Sequence, residues 1–145
     1  MPSQTFTHEA TADAPVDEVW ATLDRPETWE SIGGVDRVFD PKIDDRGRLV
    51  GFSFDTLAGG RRYVGTAIPN ERVELSRMAW NIQNSEMKGV TSVTLAPTAS
   101  GTVITVTLDV ESVGVLSSVL FPMIAGAIGS GLPRAVDRFA AGFEG

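Results

Sequence analysis

No cysteine occurs among the 145 residues, which excludes disulfides and thiolate metal sites. There is a single histidine, so the multi-histidine constellations of most metal and acid–base centres are excluded too. Basic residues are in the minority. With 12 against 19 acidic residues the net charge is −7, and no nucleic-acid surface is expected. Met1-Pro2-Ser3-Gln4 offers neither a basic segment nor an apolar core, so no signal peptide is expected. Together with the missing cysteines this points to the cytoplasm. No repeat, low-complexity tract or Pro/Gly/Ser-rich linker divides the chain, and its length suits one domain over residues 1–145. No serine has a His–acid arrangement to activate it, and neither a phosphate-binding glycine loop nor a dinucleotide fingerprint is present. No catalytic residue, metal or cofactor can therefore be named.

One further absence is local. Between Glu111 and Arg134 lie 22 residues without a charge, among them Val115-Leu116, Val119-Leu120-Phe121 and Met123-Ile124. From Leu132 onward an amphipathic helix begins. At 100° per residue Leu132, Ala135, Val136, Phe139 and Phe143 share one face, and Arg134, Asp137 and Arg138 fall opposite. So apolar a segment must be buried against a membrane, another chain or a sheet. A bilayer span needs about 20 apolar residues, but Gly114, Gly126, Gly129, Gly131, Pro122 and Pro133 interrupt or border this one. The expected product is one long helix over roughly residues 115–143 lying on a sheet. Pro122 is expected in its first turn and a bend at Pro133, with Gly129 four residues back relieving the clash.

The preceding residues supply that sheet. Residues 5–12 alternate, with Phe6, His8, Ala10 and Ala12 on one side and threonines and Glu9 on the other. Val16, Val19, Trp20 and Leu23 then repeat at helical spacing behind Pro15 and two acids, and Asp24 is placed to cap a second short helix carrying Trp29 and Ile32, which Gly33-Gly34 ends. Six strands follow: Val35–Ile43, Leu49–Leu57, Arg61–Ile68, Arg72–Ile82, Met87–Ala96 and Thr102–Glu111, with turn chemistry between them, including Pro69-Asn70. The predicted fold is α+β: a curved seven-strand antiparallel sheet around a long C-terminal helix, with two short helices after the first strand.

Three stretches in this order resemble the START-like (SRPBCC) superfamily, whose architecture is the helix-grip fold. They are Ala12-Asp13-Ala14-Pro15-Val16-Asp17-Glu18-Val19-Trp20, Leu23-Asp24-Arg25-Pro26-Glu27 and Gly101-Thr102-Val103-Ile104-Thr105. The resemblance covers essentially the whole chain. It departs where the family often closes the second helix with tryptophan; here Ile32 stands there and Trp29 lies three residues earlier. Within the superfamily the chain is similar to the polyketide cyclase/dehydrase and lipid-transport group. More loosely, Ile32-Gly33-Gly34-Val35, Tyr63-Val64-Gly65 and Ser112-Val113-Gly114-Val115-Leu116 resemble the carbon monoxide dehydrogenase-associated branch of the superfamily. The resemblance implies binding or transport of a hydrophobic small molecule, lipid, polyketide or quinone-like. Two alternatives stay open: a cyclase- or dehydratase-like enzyme, and an adaptor that meets a membrane or an oxidoreductase through residues 113–128.

The residues point to a cavity in the same place. Ala10, Ala12, Gly65, Ala79, Gly89, Ala127 and Gly131 leave little volume on faces that should meet the core, so an enclosed pocket of about 300–1,000 Å³ is expected. Its apolar walls would be Ile104, Val106 and Leu108 from the last strand and Met123, Ile124, Ala127 and Ile128 from the helix. His8, Tyr63 and Arg77 would supply polar groups. His8 shares the inward row of the first strand, as a ligand handle or as a histidine satisfied by its surroundings. Tyr63 follows Arg61 and Arg62 after the Gly59-Gly60 turn. By parity Arg77 enters the cavity with Ala79 and Asn81, to meet a ligand carboxylate or phenolate. A bulge would instead put Met78, Trp80 and Ile82 inside and Arg77 in solvent.

Overall fold

The computed structural model of the chain describes residues 3–32, 35–113 and 117–143. The alternating first segment forms β1 (Ser3–Ala12), and α1 (Val16–Thr22) and α2 (Pro26–Ile32) follow. Then come β2 (Arg37–Ile43), β3 (Leu49–Ala58), β4 (Arg61–Val73), β5 (Arg77–Gln83), β6 (Met87–Pro97) and β7 (Thr102–Ser112). Two helices close the chain, α3 (Ser117–Gly129) and α4 (Leu132–Ala141). The strands make one curved antiparallel sheet in the order β1-β7-β6-β5-β4-β3-β2. The excursion through α1 and α2 carries the chain from one edge strand to the other.

Each inner row follows from period-two patterning. On β7, Ile104, Val106, Leu108 and Val110 are buried beneath the helices, while Thr105, Thr107 and Asp109 face outward. The helices return Phe121, Ile124, Ala125 and Ile128 from α3, and Leu132, Val136 and Ala140 from α4. Two of the family-like stretches meet across the sheet edge: the buried Thr102 hydroxyl donates to the Ala14 carbonyl at 2.8 Å.

The expected long C-terminal helix is present, as two joined helices, and details in three places need correction. First, the joint falls at Ser130-Gly131, so Pro133 lies in the first turn of α4 rather than at an internal bend. Pro122 lies inside α3 and not in its first turn. Residues 33–34, expected to end α2, and residues 115–116, expected to begin the long helix, fall outside the described residues.

The second correction concerns β4. Pro69-Asn70 is no turn; the strand runs on to Val73 through a bulge, where Pro69 faces Trp80 and Glu71 faces Ala79, leaving Asn70 unpaired. Asn70 Nδ2 donates to Asn81 Oδ1 at 2.9 Å instead. The reversal comes at Glu74-Leu75-Ser76, where Leu75 takes a positive φ of 64° without a glycine.

Third, Asp24 does not serve α2. Its carboxylate accepts a bidentate pair from Arg72 at 2.9 and 3.0 Å, and the Leu49 backbone N–H at 3.2 Å. Arg72 also donates to Glu74, whose other oxygen accepts the Trp20 indole N–H at 2.9 Å. The network pins the α1–α2 corner to the β4–β5 hairpin. The hydrogen bond from Arg72 holds the Glu74 carboxyl below its usual range, and the hydrogen bond to Asp24 pushes the Arg72 guanidinium further up.

Candidate ligand-binding site

Between the sheet and α3 the interior is nearly solid. Trp29 from α2, Phe52 from β3 and Trp80 from β5 meet there. Their ring centroids lie 6.3 Å (Trp29–Phe52), 5.8 Å (Trp29–Trp80) and 5.1 Å (Phe52–Trp80) apart. The last two contacts are edge-to-face, the preferred aromatic geometry. Beside this cluster remains a cavity of about 20 Å³, lined by Trp29, Val35, Phe52, Phe54, Ile82, Thr91, Leu108 and Ile128. That is room for about one water, in a wall whose one hydroxyl is Thr91. Among the described residues the seam therefore holds about 20 Å³ and not the several hundred Å³ expected. Larger hollows lie elsewhere, as open depressions on the outer face of the sheet; one, lined by Thr66, Ile68, Asn81, Gln83, Lys88 and Glu111 among others, measures about 410 Å³.

Of the small residues expected to leave the interior hollow, Gly65 and Gly89 have close neighbours, whereas Gly131 has open space where a Cβ would stand and Ala127 is exposed. A Cβ on Gly65 would lie 2.6 Å from the ring of Phe54, its cross-strand partner. One on Gly129 would lie 2.5 Å from the ring of Phe6, and one on Gly89 would run into the Asp109 carbonyl. Gly65, Gly89 and Gly129 are places where a ring or a backbone comes close, so their missing volume is already filled.

The sequence-predicted residues scatter accordingly. Leu108 and Ile128 line the cavity. Ile104, Val106, Ile124 and Tyr63 are buried in the surrounding core. Met123 is 41% exposed and Ala127 is exposed, both on the outward side of α3. Arg77 lies on the outer face, where Nε donates to Glu71 at 2.5 Å and an Nη donates to Thr94 Oγ1 at 3.2 Å. Met78, Trp80 and Ile82 turn inward, as the bulge alternative requires. His8 faces α4, with Nε2 2.8 Å from Asp137 Oδ1, in a half-exposed pair outside the cavity lining.

Sequence reasoning missed Trp29, Val35, Phe52, Phe54, Ile82 and Thr91 as cavity residues. The Phe52/Phe54 alternation on β3 was the available signal. Two polar atoms nearby lack partners among the described residues: the buried Trp80 Nε1 and the buried Thr56 Oγ1. Trp29, by contrast, donates its indole N–H to the Leu23 carbonyl at 2.8 Å. Among the described residues no three His, Asp or Glu side chains gather as a metal ion would require.

The family model described as polyketide cyclase/dehydrase and lipid transport matches residues 3–144. Among solved structures, the chain is similar to the ZhuI aromatase/cyclase from Streptomyces sp. R1128 (TM-score 0.67, 14% identity, 93% of this chain and 92% of that one). It is also similar to a START superfamily protein from Mycobacterium smegmatis (TM-score 0.61, 15% identity, 88% and 96%). A third neighbour is the major latex-like protein 151 from Panax ginseng (TM-score 0.57, 12% identity, 88% and 96%). At these identities the likeness is one of fold. No curated protein matches the sequence significantly.

Proposed function

Because this chain belongs to the polyketide cyclase/dehydrase and lipid transport family, a hydrophobic-ligand-binding fold, we propose that it binds a hydrophobic small molecule between the sheet and α3. The observation that carries the reading is the seam itself. Among the described residues its walls are apolar on both sides, its one lining hydroxyl is Thr91, and no acid–base pair reaches it. His8 and Asp137 form such a pair but sit on the flank of α4. Binding without turnover is therefore favoured over cyclase or dehydratase chemistry, which needs a proton donor or acceptor in reach of the substrate.

A closed seam sets a condition on binding. The ligand enters only if α3 or the Trp29–Phe52–Trp80 cluster moves, so the closed form is the empty state of a two-state carrier. The unpartnered Trp80 N–H then gains meaning. A buried donor without an acceptor costs about 1–3 kcal/mol, and a ligand oxygen lodged beside Phe52 would remove that cost. A mostly apolar molecule carrying a carbonyl, ether or hydroxyl oxygen fits best.

The test is titration with N-phenyl-1-naphthylamine, together with native mass spectrometry of protein purified without detergent. Wild type should enhance the probe's fluorescence and melt at a higher temperature with it, because the probe binds only the folded state. Ile128→Ala, which widens the seam, should bind the probe more tightly. Absence of both probe uptake and any co-purified apolar molecule in wild type would sink the proposal.

A further inference from the structure

Two buried polar atoms on the concave face of the sheet have no partner among the described residues, and they lie at different places along it. They are Trp80 Nε1 and Thr56 Oγ1, and each residue is only 2% exposed. Native interiors pair nearly all such groups, so each orphan needs a reason. Other buried threonines of this chain follow the rule. The hydroxyls of Thr28 and Thr102 donate to the carbonyls of Thr22 and Ala14, at 2.7 and 2.8 Å. Thr56 makes no such bond.

The inward row of β3 reads Phe52, Phe54, Thr56 and Ala58, all buried. Phe52 and Phe54 line the small cavity, and Phe52 holds the Trp80 ring edge-to-face with centroids 5.1 Å apart. Thr56 stands four residues farther along the strand than Phe52, about 13 Å at the rise of an extended chain. Its cross-strand partner is Tyr63, 5% exposed, which screens it from water on that side. Helix α3 packs on β3 and covers this row. It runs from the cavity, where Ile128 stands, to the hairpin turn, where the Met123 sulfur lies close to Gly59. One orphan therefore sits beside Phe52 and the other near the hairpin end of the same apolar strip, with Phe54 between them.

We propose that the seam takes an extended, mostly apolar molecule with a neutral oxygen at each end, one bonded by the Trp80 N–H and the other by the Thr56 hydroxyl. The inference rests on the carrier reading and goes beyond it, since it fixes how many polar groups the ligand carries and how far apart they stand. The Trp80 N–H only donates, so its end of the ligand must accept, as a carbonyl, ether or hydroxyl does. The Thr56 hydroxyl donates or accepts, so its end tolerates the same groups. Neither orphan is ionisable, and no charged side chain lines the cavity. A carboxylate would be buried there without a counter-charge, which disfavours fatty acids against molecules with neutral ends. The class is that of α,ω-diols, hydroxyketones and ring systems oxygenated at both ends. A ligand with one oxygen leaves one orphan unbonded, and a ligand with two satisfies both.

The experiment is displacement of N-phenyl-1-naphthylamine from the full chain by decane-1,10-diol and by decan-1-ol. A wholly apolar seam would prefer decan-1-ol by at least about fivefold, because the second hydroxyl would be buried without a bond. Wild type should instead bind the diol at least as tightly as the alcohol. Thr56→Val keeps the shape of the side chain and removes its hydroxyl. It should return the preference to decan-1-ol by at least about fivefold, whereas Thr56→Ser should keep the wild-type preference. Hexane-1,6-diol is too short to span the strip and should bind less tightly than hexan-1-ol. Without ligand, Thr56→Val should melt no lower than wild type, since the lost hydroxyl has no partner to leave behind. A preference for decan-1-ol in wild type, a diol preference that survives in Thr56→Val, or the same preference for the short diol would overturn the inference and leave the carrier reading standing. So would a lower melting temperature of Thr56→Val, which would show the hydroxyl bonded in the empty fold. Failure of wild type to take up the probe or either ten-carbon alcohol would overturn both readings.

Discussion

Helices α3 and α4 are separated by two residues, yet they present opposite surfaces. On α4 the inward Leu132, Val136 and Ala140 are buried and the outward Arg134, Asp137 and Arg138 are exposed. That is an amphipathic helix finished by water. On α3 the inward Phe121, Ile124, Ala125 and Ile128 are just as buried, but Pro122, Met123 and Ala127 look outward. The two helices pack against different parts of the fold. α4 lies on β1 and α2, while α3 lies on β3 and β7, over the seam. Stability explains both inner faces. It explains only the outer face of α4. Among the described residues the outer face of α3 stays apolar where that of α4 is charged, although Met123 reaches the Gly59 turn.

The comparison breaks first at the core. Phe121→Ala on α3 should cost about 3–5 kcal/mol, as full truncation of a buried aromatic does, because Phe121 is completely buried. A loss under about 1 kcal/mol in urea unfolding would mean that α3 is not held to the sheet, and would end the idea of a closed seam. On α4, Phe139→Ala should cost less, about 2 kcal/mol. Phe139 is only partly buried and makes an edge-to-face contact with Phe143 at 5.3 Å. Equal costs for the two phenylalanines would place Phe139 in the core after all.

Much of this contrast is legible in the sequence, because periodicity needs only local information. The alternation of β7 and the 3.6-residue repeat of α4 name their inward residues directly. The seven strands, the short helix pair and the helix-grip arrangement follow from the order of such segments. What stays hidden is set by partners far along the chain. Gly65 reads as empty volume until Phe54 is seen lying over it. Asp137 reads as a solvated acid until His8, 129 residues away, is found 2.8 Å from it. Pro69-Asn70 carries turn chemistry, but a bulge uses it, and the real turn at Leu75 has no glycine or proline to announce it. Arg77 follows from that error: its face depended on where the strand reversed. The candidate cavity was harder still, because complementary packing of Trp29, Phe52 and Trp80 decides its volume, and composition carries no record of that.

The polar side of α4 sharpens the comparison at a smaller scale. His8 and Asp137 are 29% and 62% exposed at their side chains, so solvent screens the pair. Asp137→Asn should therefore shift stability by less than about 1 kcal/mol. A double-mutant cycle with His8→Gln should give a coupling within the same bound. A coupling of several kcal/mol would show a desolvated pair and would reopen His8 as a functional group.

The smallest expected effect tests the outward face of α3. Met123 is 41% exposed and touches the Gly59 turn through its sulfur end. Met123→Gln keeps the length and helix-forming character of the side chain while removing its apolarity. If that apolarity served the isolated fold, the change would cost about 1–2 kcal/mol, as loss of buried apolar area does. If it serves an external surface, urea unfolding should move by less than about 0.5 kcal/mol, as at other exposed positions. The matching change on α4, Arg138→Ala, has the same expected size for a different reason, since Arg138 faces water. A loss above about 1 kcal/mol from Met123→Gln, with Arg138→Ala still near zero, would show that the outward side of α3 is packed by this chain after all, and the contrast between the two outer faces would shrink to their charge.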